Sequence, residues 1–291
     1  MWRSSQGTID TMLNNTHTFP LMSRHARDIG SNSKPRCNWK TPVVSVRNLR
    51  KVYKNHGGEK VAVQNVSFDV MPGSIVGILG PNGAGKSTIV ECIAGLRQSD
   101  GGAIRVLGID PQEDPNAIRE FVGIQFQDAQ LQDKITVGEA LKLFASFYPH
   151  PANLDRLVSL LKLDDKRDAP FNTLSGGQKQ RLSIALALIG KPKIAILDEL
   201  TTGLDPNARR DTWKLIEMVR DAGVTVLLVT HFMDEAEYLC DQIVVVNDGS
   251  VVAQGTPTQL IAETPSARNL DDVYIALTNT KTWVDLVDAY A

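Results

Sequence analysis

Cysteine is scarce in this chain of 291 residues: Cys37, Cys92 and Cys240 lie far apart and form no CxxC pair. That spacing excludes a disulfide framework and a zinc knuckle, and fits reduced thiols of a cytoplasmic protein. Long hydrophobic runs are also missing. Stretches such as residues 184–189 and 224–229 fall far short of the roughly 18 apolar residues that a membrane-spanning helix needs. If such a chain works at a membrane, another chain must supply the helices. Net charge is small too, −2 overall, so no basic field argues for nucleic acid.

The charge is unevenly spread. Residues 1–40 carry six Lys/Arg against Asp10 and Asp28, a local +4 that leaves −6 on the remainder. This segment lacks hydrophobic periodicity, is rich in Ser, Asn and Thr, and reads as a disordered extension. It has no apolar stretch of the secretory type; a transit peptide and an over-extended start, with Met22 as the true one, both fit its composition.

Over the whole chain, 42% hydrophobic and 22% charged residues describe a protein able to bury a proper core. Residues 43–46 and 61–70 alternate as strands around a Gly57-Gly58 turn, and residues 75–79, 194–197 and 224–229 are short apolar strands. A helix is expected from Lys86 to about Ala94, stopped at Gly95, and another behind the Asp205-Pro206 cap. Residues 136–190 read as mostly helical, interrupted by Pro149, Pro151 and Pro170. Asn247-Asp248-Gly249 signals a hairpin, and Thr256-Pro257 a short helix. The pattern predicts an α/β fold: a mainly parallel core sheet with an antiparallel β subdomain and a helical subdomain at about 128–180.

The strongest motif follows the strand at 75–79. Gly80-Pro-Asn82-Gly83-Ala84-Gly85-Lys86-Ser87-Thr88 matches G-x-x-x-x-G-K-[ST], with strand before and helix after, as a phosphate-binding loop requires. Its glycines let backbone N–H groups turn towards a phosphate, and the helix start presents its positive end. Lys86 would reach the β- and γ-phosphates and the Ser87 hydroxyl would ligate Mg²⁺. The chain therefore binds a nucleoside triphosphate.

A second apolar strand ends in Asp198-Glu199, two acids at the edge where parallel sheets bind ligands. Successive strand residues face opposite ways, so Asp198 is assigned to the metal and Glu199 to the base that polarises an attacking water. His231 follows a third strand. Taken singly, His231, Gln127 and Tyr53 are ordinary; His231 gains weight because three strand ends would converge on one phosphate, and stacking on adenine is one use among many for Tyr53. "LSGGQ" at 174–178 opens another helix with Ser175, Gly176, Gly177 and Gln178, again suited to an anion.

In this order the motifs resemble those of ATP-binding subunits of ABC transporters, over residues 43–262. The resemblance implies Tyr53 at the adenine, Gln127 as the metal- and water-sensing glutamine facing the membrane partner, and residues 174–178 as the family signature. It also implies Asp205 in a dimer-contact loop and His231 as the γ-phosphate switch. The implied partners are a separate transmembrane permease and a second copy or paralogue, the two chains sandwiching ATP; the implied place is the cytoplasmic face of the membrane. The family usually has proline after the two acids, where this chain has Leu200; activity is expected to survive. The tract 201–257 and the tail at 270–278 are similar to drug- and antibiotic-exporter ATPases of the daunorubicin-resistance type, a pattern that some polysaccharide and nodulation exporters share. Drug-like cargo is the expectation this sets. Ribosome-acting ATPases carry two cassettes, and chromosome-maintenance ATPases separate loop from signature by a long coiled coil; neither pattern is present. An iron–sulfur assembly ATPase, also a lone cassette, stays open as an alternative although the exporter-like tail speaks against it, and an importer subunit would use the same nucleotide chemistry. The expected domain is 41–262, with 263–291 as a regulatory or dimer-supporting tail.

Overall fold

The computed structural model describes residues 41–55, 58–125 and 131–278. The extension at 1–40, Gly57 of the expected turn, Gln127 and residues 279–291 of the tail lie outside the described residues.

Strand β1 (Val44–Asn55) and β2 (Gly58–Val70) form a long antiparallel pair, with Val44 opposite Val70 and Asn55 opposite Gly58. Both are longer than the alternation suggested, because the hairpin continues beyond its buried half into solvent. Val66, Phe68 and Val70 are buried while Ser67 and Asp69 between them are only half-buried, the period of a strand with one covered face. Strand β4 (Gly101–Val106) adds to the other edge of β1, also antiparallel.

The second half of the sheet is parallel. Strands β3 (Ile75–Leu79), β5 (Val122–Gln125), β6 (Ile194–Asp198), β7 (Thr225–Thr230) and β8 (Gln242–Asn247) lie in the order β8-β3-β7-β6-β5. Strand β9 (Ser250–Gly255) folds back on β8 through Asp248-Gly249, whose φ values of 45° and 72° are those of a two-residue hairpin turn. One parallel bridge, Asn65 to Ser250, joins β9 to β2 and makes a nine-stranded sheet. The fold is thus the α/β class expected, a mainly parallel core sheet that includes the strand before the phosphate loop and carries an antiparallel portion.

Parallel strands buried on both faces feed two cores. From β3, Ile75 and Leu79 enter one core, Val76 and Ile78 the other. Likewise β7 sends Val226 and Leu228 to the first, Leu227 and Val229 to the second. Helix α1 (Lys86–Ile93), which ends where Gly95 turns left-handed at φ 70°, closes the second core with Ile89, Val90 and Ile93. Helix α2 (Pro115–Phe121) precedes β5.

Between β5 and β6 the expected helical stretch, interrupted at its prolines, gives among the described residues the α-helices α3 (Val137–Ala145), α4 (Leu154–Leu160) and α5 (Gly176–Leu188). The prolines break the run, and Thr136, Asn153 and Ser175 cap the new starts with side-chain acceptors. Helices α6 (Pro206–Asp221) and α7 (Met233–Leu239) cover the first core, followed by α8 (Pro257–Glu263) and α9 (Leu270–Thr278). Leu270 and Val273 of α9 share that core with Leu215 and Ile216 of α6. Among the described residues no helix is long and apolar enough to cross a membrane.

Candidate active site

Register brings three strand ends to one level. Leu79 pairs with Thr230, and Val229 with Asp198, so Gly80, His231 and Glu199 leave the sheet side by side. That is the carboxyl edge where parallel sheets bind ligands.

The loop after β3 is shaped by close approach. Gly85 has φ 101°, and a Cβ there would stand 2.4 Å from the Ala62 carbonyl oxygen. Only glycine fits, and it opens α1 with no side chain capping the first N–H groups. Lys86, 5% exposed, donates from Nζ to the carbonyls of Gly80 at 2.8 Å and Pro81 at 3.1 Å. Burial lowers its pKa, while the carboxylates of Glu199 and Asp198 pull it back up. Ala84 is buried and accepts a backbone hydrogen bond from Gly249. An open cleft of about 340 Å³ is lined by Asn82, Gly83, Gly85, Lys86, Ser87 and Thr88. Tyr53, Lys60 and Ala62 of the β1–β2 hairpin and Glu199 complete the lining. Tyr53 is held through its hydroxyl, 3.1 Å from Thr88 Oγ1, and through the Arg97 guanidinium, 5.0 Å from its ring centroid.

Sequence reasoning missed Lys60, Ala62 and Arg97. The first two lie on a hairpin whose fold over the loop is a tertiary event. Arg97 is a surface-type residue in sequence, placed by its ion pair with Glu91 of α1.

The two acids occupy different positions, but for another reason than strand alternation. Asp198 is the last residue of β6, and Glu199 is already past it at φ 48°, a left-handed turn residue whose N–H donates to Val229 O at 2.8 Å. Asp198 is 4% exposed, and Ser87 Oγ donates to its Oδ2 at 3.5 Å. Burial, and then the Glu199 carboxylate, push the Asp198 pKa up to about 6, against the pull of Lys86 and Ser87. A buried carboxyl beside a hydroxyl and a second carboxylate suits a hard cation. Among the described residues no three His, Cys, Asp or Glu side chains form a metal cage, so Mg²⁺ would depend on phosphate oxygens for further ligands. His231 Nδ1 lies 3.3 Å from Glu199 Oε1.

The start of α5 does not line this cleft. Ser175 and Gln178 cap it reciprocally: Gln178 N donates to Ser175 Oγ at 3.3 Å and Ser175 N to Gln178 Oε1 at 2.9 Å. Ser175 and Gly176 are exposed. A Cβ on Gly176 would meet Leu204 Cδ2, and one on Gly177 the Ala208 Cβ, each at an ordinary 3.5 Å. Asp205 caps α6, accepting from Asn207 N at 2.9 Å and Ala208 N at 3.0 Å. The structure thus gathers Tyr53, the loop, Asp198, Glu199 and His231, and leaves Ser175–Gln178 and Asp205 outside the cleft.

Comparison with known proteins follows the same lines. The family model described as ABC transporter matches residues 63–202. A Nod factor export ATP-binding protein I from Ralstonia nicotianae is 40% identical over 226 residues, 76% of this chain and 69% of that protein. Its namesake from Rhizobium etli is 40% identical over 211 residues, 71% of this chain and 67% of that one. Among solved structures, an ATP-binding subunit of an ABC transporter superposes with a TM-score of 0.71 at 28% identity, covering 81% of this chain and 99% of its own. A dimeric ATP-binding cassette in a post-hydrolysis state, bound to ADP and Pi, gives 0.66 at 28% identity, covering 73% and 98%.

Proposed function

The chain belongs to the ATP-binding subunits of ABC transporters, and we propose that it hydrolyses ATP to drive export through a separate membrane permease. The observation that carries this is the convergence of Lys86, the Ser87–Asp198 pair and the Glu199–His231 pair at three adjacent strand ends.

In this reading the loop and the uncapped start of α1 bind the phosphates, and Tyr53 carries the adenine. Lys86 turns from the Gly80 and Pro81 carbonyls to the γ-phosphate. Ser87 and Asp198 would hold Mg²⁺, with Gln127 as a further ligand, and the ion would neutralise phosphate charge. Glu199 accepts a proton from a water as its oxygen bonds to the γ-phosphorus and the bond to ADP breaks. His231, beside Glu199, contacts the phosphoryl group as it leaves. Ser175, Gly176, Gly177, Gln178 and Asp205 act on the ATP held by a second copy or a paralogue, so two chains sandwich two nucleotides. The exposed helix start and the dimeric structural neighbour support this. The same reading divides the chain into a domain at 41–262, with its helical part at about 128–180, and a tail at 263–291. Gln127 and residues 128–145 face the permease at the cytoplasmic side of the membrane. Export is favoured over import because relatives at 40% identity are named for it. The drug-like cargo expected from the tail motif belongs to the same direction of transport.

Glu199→Gln tests the reading. The variant is expected to bind ATP, to lose hydrolysis, and to accumulate as a nucleotide-bound dimer on size-exclusion chromatography. Hydrolysis at the native rate would remove Glu199 from the role of base.

A further inference from the structure

The chemistry above leaves one buried carboxyl unused. Glu235, on α7, has no exposed surface. Its Oε1 accepts from the Trp213 indole Nε1 at 2.9 Å, and that ring in turn stacks on Tyr238 with centroids 5.1 Å apart. The other oxygen, Oε2, is equally buried and completes no hydrogen bond. The Thr201 hydroxyl is in the same condition, buried and unpaired. Two unmet polar groups in one interior are costly, and a catalytic role is one of the reasons a folded chain retains them.

The surroundings say what that role is. Burial raises the Glu235 pKa, and the hydroxyls of Thr230 and Thr201 and the Trp213 indole, in that order, pull it back, so all three groups act on this carboxyl. Each belongs to a segment that ends at the site. Thr201 is two residues beyond Glu199, in the turn closed by Thr202 N donating to Glu199 O at 3.3 Å. Thr230 is the last residue of β7, directly before His231, and its hydroxyl accepts from Phe232 N at 3.1 Å. Trp213 lies on α6, whose Ala208 is the atom group nearest a Cβ on Gly177 of α5. Glu235 therefore stands where the base turn, the histidine strand end and the helix behind the α5 start meet.

We propose that Glu235 is a positioning residue for ATP hydrolysis: it sets Glu199 relative to His231, with Oε2 and the Thr201 hydroxyl as a hydrogen bond that closes in the hydrolytic conformation. It touches neither nucleotide nor water, and acts through Thr201 and Thr230. The inference rests on the assignment of Glu199 and His231 given above.

The test compares full-length native protein with Glu235→Ala, Glu235→Gln, Thr201→Val and Glu199→Gln in ATP turnover, equilibrium ATP binding and thermal melting. Glu235→Ala is expected to lower kcat about tenfold or more, with ATP affinity within about twofold, because an interior polar contact is lost away from the nucleotide. Glu235→Gln, which keeps shape and a hydrogen-bonding pair, recovers most of that loss. Thr201→Val lowers kcat less, and adds nothing to Glu235→Ala in the double variant, as two ends of one bond should. Native kcat in Glu235→Ala, or a loss of ATP affinity equal to the loss of kcat, overturns the proposal. Should Glu235→Ala not melt cooperatively, native kcat in Thr201→Val overturns it instead. An inactive Glu199→Gln beside an active Glu235→Ala sinks this inference alone, whereas an active Glu199→Gln sinks the assignment beneath it.

Discussion

Helices α1 and α5 both start at a glycine-rich stretch, and the two starts differ in what requires the glycine. At α1 the fold requires it: Gly85 is left-handed and pressed against the Ala62 carbonyl, and no side chain caps the N–H groups behind it. At α5 the fold is indifferent: a Cβ on Gly176 or Gly177 would find ordinary contact, and Ser175 with Gln178 satisfies the start locally. Glycine that its own chain does not need, on an exposed helix end, accords with the proposal that this stretch serves a second chain. On that proposal the first stretch builds half of a site and the second offers the other half to a neighbour.

The sharpest way to break this comparison is to disable each stretch separately and then mix the products. Lys86→Ala should lose tight ATP binding and turnover together, measured with a fluorescent ATP analogue and by phosphate release. Ser175→Arg should retain ATP binding and lose turnover. Mixed, the two inactive variants should regain turnover, since a hybrid pair holds one intact loop facing one intact α5 start. A mixture as inactive as its parts, with hybrid pairs demonstrated, would show that both stretches serve one chain.

A smaller effect separates the two glycines themselves. Gly85→Ala should lower stability by about 2 kcal/mol or more, because its backbone cannot adopt the left-handed angle without strain. Gly177→Ala should melt at or above the native temperature, since alanine gains up to about 1 kcal/mol over glycine in a helix. Its turnover should nonetheless fall. Equal melting temperatures for the two variants would erase the distinction drawn here.

The smallest expected effect is in pH. The Glu235 pKa is raised on folding from its ordinary 4.5, so the folded chain binds this proton more tightly than the unfolded chain. The corresponding stability is fully present below 4.5 and is lost as pH rises through the folded value. Glu235→Gln should flatten that decline in nucleotide-free melting curves; an unchanged slope would show that other groups cause it.

Much of this could be read from the residues. Apolar runs marked β3, β6 and β7, Asp248-Gly249 marked the hairpin, and the flanks of residues 80–88 marked the loop. What escaped had no local signal. Asp234, Glu235 and Glu237 look alike along α7, and only tertiary packing, which sets Trp213 of α6 against it, buries Glu235. Glu199 was given strand alternation, whereas its place depends on a left-handed turn just past the strand. Lys60 and Ala62 come to the cleft because the β1–β2 hairpin folds over the loop, a contact between distant parts of the chain.

The lysine of the loop carries a kinetic consequence. Lys86 is already stripped of bulk water, its ammonium berthed on the carbonyls of Gly80 and Pro81. On the role proposed for Lys86, an arriving triphosphate would not have to dehydrate a cation in order to meet it. It would exchange one set of oxygens for another, and on departure hand the lysine back to the backbone. An ATPase working as proposed, loading and discharging nucleotide in every cycle, would be spared a desolvation barrier at both ends of the stroke.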